Sequence, residues 1–181
     1  MDVRLVAVKG STHPGQLLAV HEASATRAYA HIFSEPFPRA EVLARWANHN
    51  GPVVIALRRD DVIGFAAAAG DTLDALFVLP SDAGAGLGTA LLDAIGPVVR
   101  LWVLADNQAA RAFYGRRGWR WSGVAEESSH AADVIKLLYV RPQAPLANMA
   151  PLRLGAVGTR ASAGVAVPDG EVAGRAHCAR P

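Results

Sequence analysis

The residues of this chain whose types and spacing could do chemistry cluster in one stretch, 73–118. In Gly84-Ala85-Gly86-Leu87-Gly88-Thr89 the missing side chains let a ligand approach the backbone closely, and the helix-forming ALLDAI run that follows aims its free first-turn N–H groups outward. An anion is expected there, in a phosphate-type site that lacks the lysine of a P-loop and so rests on backbone dipoles more than on a fixed cation. The plainer alternative is a tight connection that binds nothing. The dinucleotide fingerprint does not fit, because its third glycine would come one residue later and residues 79–83 would not separate it from the strand. Further along, Arg111, Arg116, Arg117 and Arg120 form the one dense basic cluster, around Phe113 and Tyr114. A nucleic-acid groove would need such charge beside aromatic or polar readers, and a solvated helix face is the simpler reading.

The elements that must hold these residues follow from periodicity. A β-branched and aromatic run over 73–79 meets Pro80, so the stretch reads strand, glycine turn, helix (88–95), strand (98–105), helix, with Gly96-Pro97 as a stop between. Asn107 is a good N-cap for the last helix, and Gly118 suits its left-handed C-terminal residue. Upstream, the pattern predicts a first strand over 2–9, a turn over 10–15, a helix carrying Leu17, Leu18, Val20, His21, Ala25 and Tyr29, and a second helix over 39–48 after the prolines of 34–38. Runs at 52–59 and 62–70 flank a turn at Asp60-Asp61 and connect to the strand at 73 through Asp71-Thr72, so these three strands are antiparallel. Two further strands, 119–124 and 133–141, close the sheet around a polar turn at 126–130.

Leu76-Phe77-Val78-Leu79-Pro80, then GAGLGTALL, then LWVLADNQAARAFYGRRGW resembles the GNAT superfamily of N-acetyltransferases. The helix matches the family's N-x-x-A-x-x-F-Y-x-x-x-G-F/W signature, which is more specific than the glycines. The resemblance implies an α/β (α+β) fold with a mixed, mostly antiparallel sheet of about seven strands and about four helices, over a domain of residues 1–142. It implies a direct attack of a neutral primary amine, on a small molecule or a protein N-terminus, on the thioester of acetyl-CoA, with no metal. Gly84, Ala85, Gly86, Leu87, Gly88 and Thr89 would take the pyrophosphate, and Leu76, Phe77 and Val78 the pantetheine arm, in an opening where the fourth and fifth strands diverge. The Val78 N–H would meet the developing oxyanion, Asn107 would contact the cofactor, and Tyr114 would be the acid that serves the leaving thiolate. The arginine cluster could lie near the adenosine 3′-phosphate of CoA. Tyr29, His31, Phe33, Glu35 and Phe37, on the wall built by the first two helices, would choose the acceptor. Tyr29 and Phe33 also read as a packed pair four residues apart, and His31 as an exposed helix-end histidine. The chain departs from the family in two places. Ala83, Gly84 and Ala85 stand where it usually has basic or Gln side chains, and Trp102 stands where the ribosomal-protein acetyltransferases carry a glutamate base. Asp71 and Asp74 are then the nearest carboxylates to act as base through water, with water alone as the other course.

Composition narrows the classes. Residues 1–142 hold 14 Lys/Arg and 14 Asp/Glu, so the net charge of +2 belongs to 143–181 and argues against nucleic acid as partner. No 18-residue uncharged apolar run is present, which argues against a membrane partner, and the first residues do not read as a signal peptide. Cytoplasm is expected, and the lone Cys178 forms no intrachain disulfide. Residues 143–181 carry four prolines, five glycines and no aromatic residue, so a mobile extension is expected, with a short docking strand at 163–167 as the alternative. A homodimer is compatible with this reading. From another functional class, a CoA-binding sensor without turnover would also fit the departures at Ala83 and Trp102.

Overall fold

In the computed structural model, described over residues 3–9, 12–32, 36–128 and 134–142, seven strands form one sheet in the order β1-β2-β3-β4-β5-β7-β6. They are β1 (Val3–Lys9), β2 (Pro52–Arg58), β3 (Asp61–Ala69), β4 (Thr72–Val78), β5 (Arg100–Leu104), β6 (Arg120–Glu127) and β7 (Ile135–Val140), with helices α1 (Pro14–Tyr29), α2 (Arg39–Ala47), α3 (Leu87–Ala94) and α4 (Gln108–Gly115). Only β4 and β5 pair in parallel, as their connection through α3 requires; every other neighbouring pair is antiparallel. This is the expected mixed, mostly antiparallel architecture. The described residues lie within one unit, Met1–Pro145, and the readings made for 143–181 fall outside the described residues.

Helices cover both faces of the central strands. On one face Leu17, Leu18 and Val20 of α1 and Val42 and Trp46 of α2 meet Val53, Ile55, Phe65, Ala67 and Ala75. On the other, Leu91 and Leu92 of α3 and Tyr114 of α4 meet Val54, Ala56, Ala66, Leu73, Leu101 and Val103. Because β3 is covered on both sides, its interior, Val62 to Ala68, is buried without a break and reads as a continuous small and apolar run instead of an alternating one. At the sheet's end β6 is exposed along its whole length.

Several boundaries differ from the sequence reading for local reasons. The first helix begins at Pro14, inside the expected turn, because proline at the first helical position loses no hydrogen bond and already has the right φ. The β2–β3 turn sits one residue earlier, at Arg59-Asp60, with Arg59 at φ 56° and Asp61 paired to Arg58. The fifth strand starts at Arg100, since Val98 is occupied in packing and in an N–H to Gly96 carbonyl bond. The last helix stops at Gly115, and Gly118, at φ 82°, turns the chain into Trp119. Glu126 and Glu127 belong to β6 and not to a turn, paired with Lys136 and Ile135, and a Glu126–Lys136 ion pair of 2.7 Å holds that register.

Candidate active site

The site begins with a departure of two strands. β4 and β5 pair only at Thr72↔Arg100 and Leu73↔Leu101, although both run on, to Val78 and Leu104. A bulge starts the divergence. Against β3, Ala75 pairs with Ala67 and Leu73 with Ala68, which leaves Asp74 as an extra residue that bends β4 away. Beyond it the edge of β4 is open on the β5 side. The Leu79 N–H donates to the Ile63 carbonyl at 2.8 Å, and antiparallel pairs alternate, so Phe77 exchanges its bonds with Phe65 while Leu76 and Val78 turn their peptide groups into the opening. Leu76 and Val78 pack toward α3 and α4, and Phe77 toward α1 and α2.

The glycine turn closes the wide end. After a three-residue 3-10 helix (Pro80–Asp82), Gly84 and Gly86 take φ 84° and 81°, and Gly86 is the N-cap of α3. A Cβ at either glycine would meet nothing within 4 Å, so the turn presents bare backbone to open space. Thr89 and Ala90 donate to the Gly86 carbonyl at 3.0 and 3.1 Å, whereas the N–H groups of residues 84–88 donate to no backbone carbonyl among the described residues. They are the orphan donors of a helix start, with Ala85 and Leu87 between the glycines. Gly88 instead serves packing, with the Phe113 ring 3.5 Å from where its Cβ would be. Just before the turn, the Ser81 hydroxyl and the Arg58 guanidinium, working against burial, hold the buried Asp82 carboxyl below its usual range, so that charge is already neutralised.

Tyrosines flank the opening. Asn107 caps α4, its Oδ1 accepting the Ala110 N–H at 3.0 Å, and its side chain also hydrogen-bonds the phenol of Tyr29. Tyr29 ends α1 on one face of the sheet and Tyr114 lies on α4 on the other, and the two come close enough for their charges to interact. Burial, and secondarily Tyr29, push the Tyr114 phenol well above the ordinary tyrosine range. Burial also raises Tyr29, opposed by its bond to Asn107.

The remaining candidates are sorted by their contacts. Phe37 meets His21 edge-on at 5.2 Å, and His21 stacks on Phe77 at 4.1 Å, which links the α1–α2 connection to β4. The Trp46 indole donates to His21 Nδ1 at 3.3 Å, so the neutral ring carries its proton on Nε2. His31 is exposed just past α1; Phe33 and Glu35 lie outside the described residues. Asp74 accepts from Arg45 Nη2 at 2.7 Å and lies 3.6 Å from His49 Nδ1, and Asp71 lies 3.6 Å from Arg100 Nε. The Trp102 ring carries Lys136 Nζ at 4.9 Å. Ser24 is a residue that sequence reasoning missed: from α1 its hydroxyl donates to the Val78 carbonyl at 2.7 Å, at the edge of the opening. Its one trace in the sequence is a small polar residue beside Ala25 on the buried stripe of α1. Among the described residues no group of three or more His, Cys, Asp or Glu is placed to hold a metal ion, and no helix is long and apolar enough to cross a membrane.

Comparison with known proteins meets this geometry at several levels. Residues 49–120 match the Acetyltransferase (GNAT) domain family. The chain is 27% identical over 128 residues to the peptidyl-lysine N-acetyltransferase YjaB of Escherichia coli (strain K12), covering 67% of this chain and 87% of that protein. The solution structure of apo YjaB superposes with a TM-score of 0.64 at 22% identity, over 80% of this chain and all of that one. The PaiA N-acetyltransferase of Thermoplasma acidophilum, in a crystal structure with coenzyme A, superposes with a TM-score of 0.56 at 17% identity, over 76% of this chain and 98% of that one.

Proposed function

We propose, for a chain whose residues 49–120 match the GNAT acetyltransferase domain family, that it transfers the acetyl group of acetyl-CoA to a primary amine by direct attack. The observation that carries this reading is the opening itself: β4 leaves β5 after two paired residues, its Leu76 and Val78 peptide groups face the gap, and the bare N–H groups of residues 84–88 stand at the wide end. A thin, peptide-like arm with a diphosphate at one end fits those features, since the arm can pair with a strand edge and the diphosphate can take orphan helix N–H donors.

The chemistry asks three things of the residues present. The amine lone pair forms a C–N bond at the thioester carbonyl, and negative charge moves onto the carbonyl oxygen, where a gap-facing N–H of Leu76 or Val78 receives it. The C–S bond then breaks and the electron pair leaves on sulfur, beside Tyr114. A free thiol has a pKa of about 8.5 and a free tyrosine about 10, so transfer from a phenol raised further is uphill by more than about 2 kcal/mol. Tyr114 therefore stabilises the leaving thiolate chiefly by donating a hydrogen bond, and the proton lost by the amine passes to water. Asp71 and Asp74 suit the role of base less well, each lying beside a cation.

For the acceptor, the name of the YjaB relative supports adding lysine-bearing peptides to amines and peptide N-termini, with Phe37 and Tyr29 on the wall that receives them. The lone cysteine suits a reducing cytoplasm. The test is thiol release from acetyl-CoA by the full chain across a panel of lysine peptides, peptide N-termini, polyamines and aminoglycosides. Release that depends on one amine class, and rises with pH as that amine deprotonates, is expected. CoA binding with no release for any amine would favour the sensor reading instead.

A further inference from the structure

The geometry points to Arg117 as the cation of the diphosphate site, delivered from the far end of α4 to the first turn of α3; this inference rests on the acetyl-CoA reading above. Residues 83–88 contain no cationic side chain, so any fixed positive charge at the turn must come from another element. Arg117 stands two residues beyond α4, in the turn that Gly118 completes. Its Nη1 donates to the Phe113 carbonyl at 3.0 Å, its Cζ lies 3.7 Å over the Phe113 ring centroid, and its Nη2 donates to Thr89 Oγ1. The same Phe113 ring lies against Gly88. Ring and guanidinium are thus layered onto the second and third residues of α3, where the missing side chain at 88 gives them room.

Electrostatics give that placement its meaning. A helix start carries partial positive charge, so a cation beside it is of the wrong sign unless an anion lies between. Four of the described arginines answer carboxylates, Arg39 with Glu22, Arg45 with Asp74, Arg58 with Asp82 and Arg100 with Asp71, and others without such a partner, such as Arg4, Arg59 and Arg116, are exposed to water. Among the described residues Arg117 has no acidic partner, its contacts are a carbonyl, a hydroxyl and an aromatic face, and its buried Nε has no acceptor. A half-buried guanidinium held beside orphan helix N–H groups with no counter-charge is an unfavourable arrangement that a bound diphosphate would relieve, and the planar fork matches phosphate oxygens. Arg111, by contrast, is spent on the Tyr139 hydroxyl and the Ala105 carbonyl at 3.2 and 2.8 Å.

The test is calorimetric titration of the full chain with CoA, dephospho-CoA and pantetheine, which separate the diphosphate from the 3′-phosphate and from the arm. Arg117→Met keeps the stacking length and removes the charge; it is expected to weaken CoA and dephospho-CoA alike by at least about tenfold, as loss of a charge-assisted hydrogen bond does, and to leave pantetheine unchanged. Arg4→Gln, at an exposed position of the edge strand β1, is expected to change none of the three. Adding Ala83→Arg to Arg117→Met should restore part of the lost affinity, since Ala83 is exposed and extended at the edge of the turn. If Arg117→Met does not fold, Arg117→Lys serves, with a smaller loss in the same pattern. Equal CoA affinity in wild type and variant would overturn the assignment of Arg117 alone, and so would a loss confined to CoA, which would mark a 3′-phosphate contact. A wild-type chain that binds no CoA would overturn the acetyl-CoA reading and this assignment together.

Discussion

At the scale of single residues, the account depends most on Tyr114. Its burial among Phe113 and Trp119, with ring centroids 5.2 and 6.1 Å away, keeps the phenol protonated and fixes its direction. Tyr114→Phe keeps the packing and removes the donor. On a validated amine it is expected to lower kcat near the low end of the usual roughly hundredfold to ten-thousandfold acid-base effect, with acetyl-CoA affinity nearly unchanged. The phenol also makes stability depend on pH with a definite sign. Its folded pKa is raised, so its contribution is whole below the unfolded value of about 10 and is lost as pH climbs from there toward the folded value. Alkaline melts should therefore show the wild type losing more stability than Tyr114→Phe above about pH 10; parallel curves, with equal rates, would make Tyr114 a packing residue. Tyr114 stood out in the sequence because it sits in a motif with fixed spacing to Asn107 and Gly118, and its proposed role is what the variant tests. Its contact with Tyr29 was not legible in sequence, because that meeting joins helices on opposite faces and depends on strands parting between them. Arg117 was visible only as one of four arginines, since nothing in a linear pattern says which of them folds back onto Thr89.

At the scale of elements, the glycine turn and the bulged strand do the positioning. Gly86→Val puts a β-branched residue at φ 81°, a left-handed conformation that costs an ordinary residue roughly 1–2 kcal/mol and a branched one more. The added side chain would stand in open space in the free protein, so the domain is expected to stay folded with a melting point lowered by a few degrees, and to lose CoA binding by at least about tenfold because the proposed diphosphate would occupy that space. Unchanged affinity would show that the diphosphate lies elsewhere. The order of strands, turn and helices could be read from periodicity, since β4 and α3 each show their own period beside Pro80 and the glycines. The bulge at Asp74 could not, because an extra residue leaves no mark in composition and appears only when β3 supplies the register. Helix starts were misjudged where proline acts as an opener, as at Pro14, and strand ends where charges look like a turn, as at Glu126 and Glu127.

At the scale of the whole molecule, the sheet is a frame that parts between its fourth and fifth strands, where chemistry is proposed. Antiparallel pairing to β2 and β4 and helices on both faces hold β3 in place, while β4 and β5 share two residue pairs and then separate. The sequence signalled this frame through three short antiparallel connections and one helical crossover, which together rule out a doubly wound dinucleotide fold. The measurement that tests the central claim most directly is calorimetric titration of the full chain with CoA and, separately, with NAD. Saturable heat with CoA and none with NAD is the predicted result, because both the glycine spacing and the one-sided opening suit a pantetheine arm. Heat with NAD and no response to CoA would contradict the account at its base.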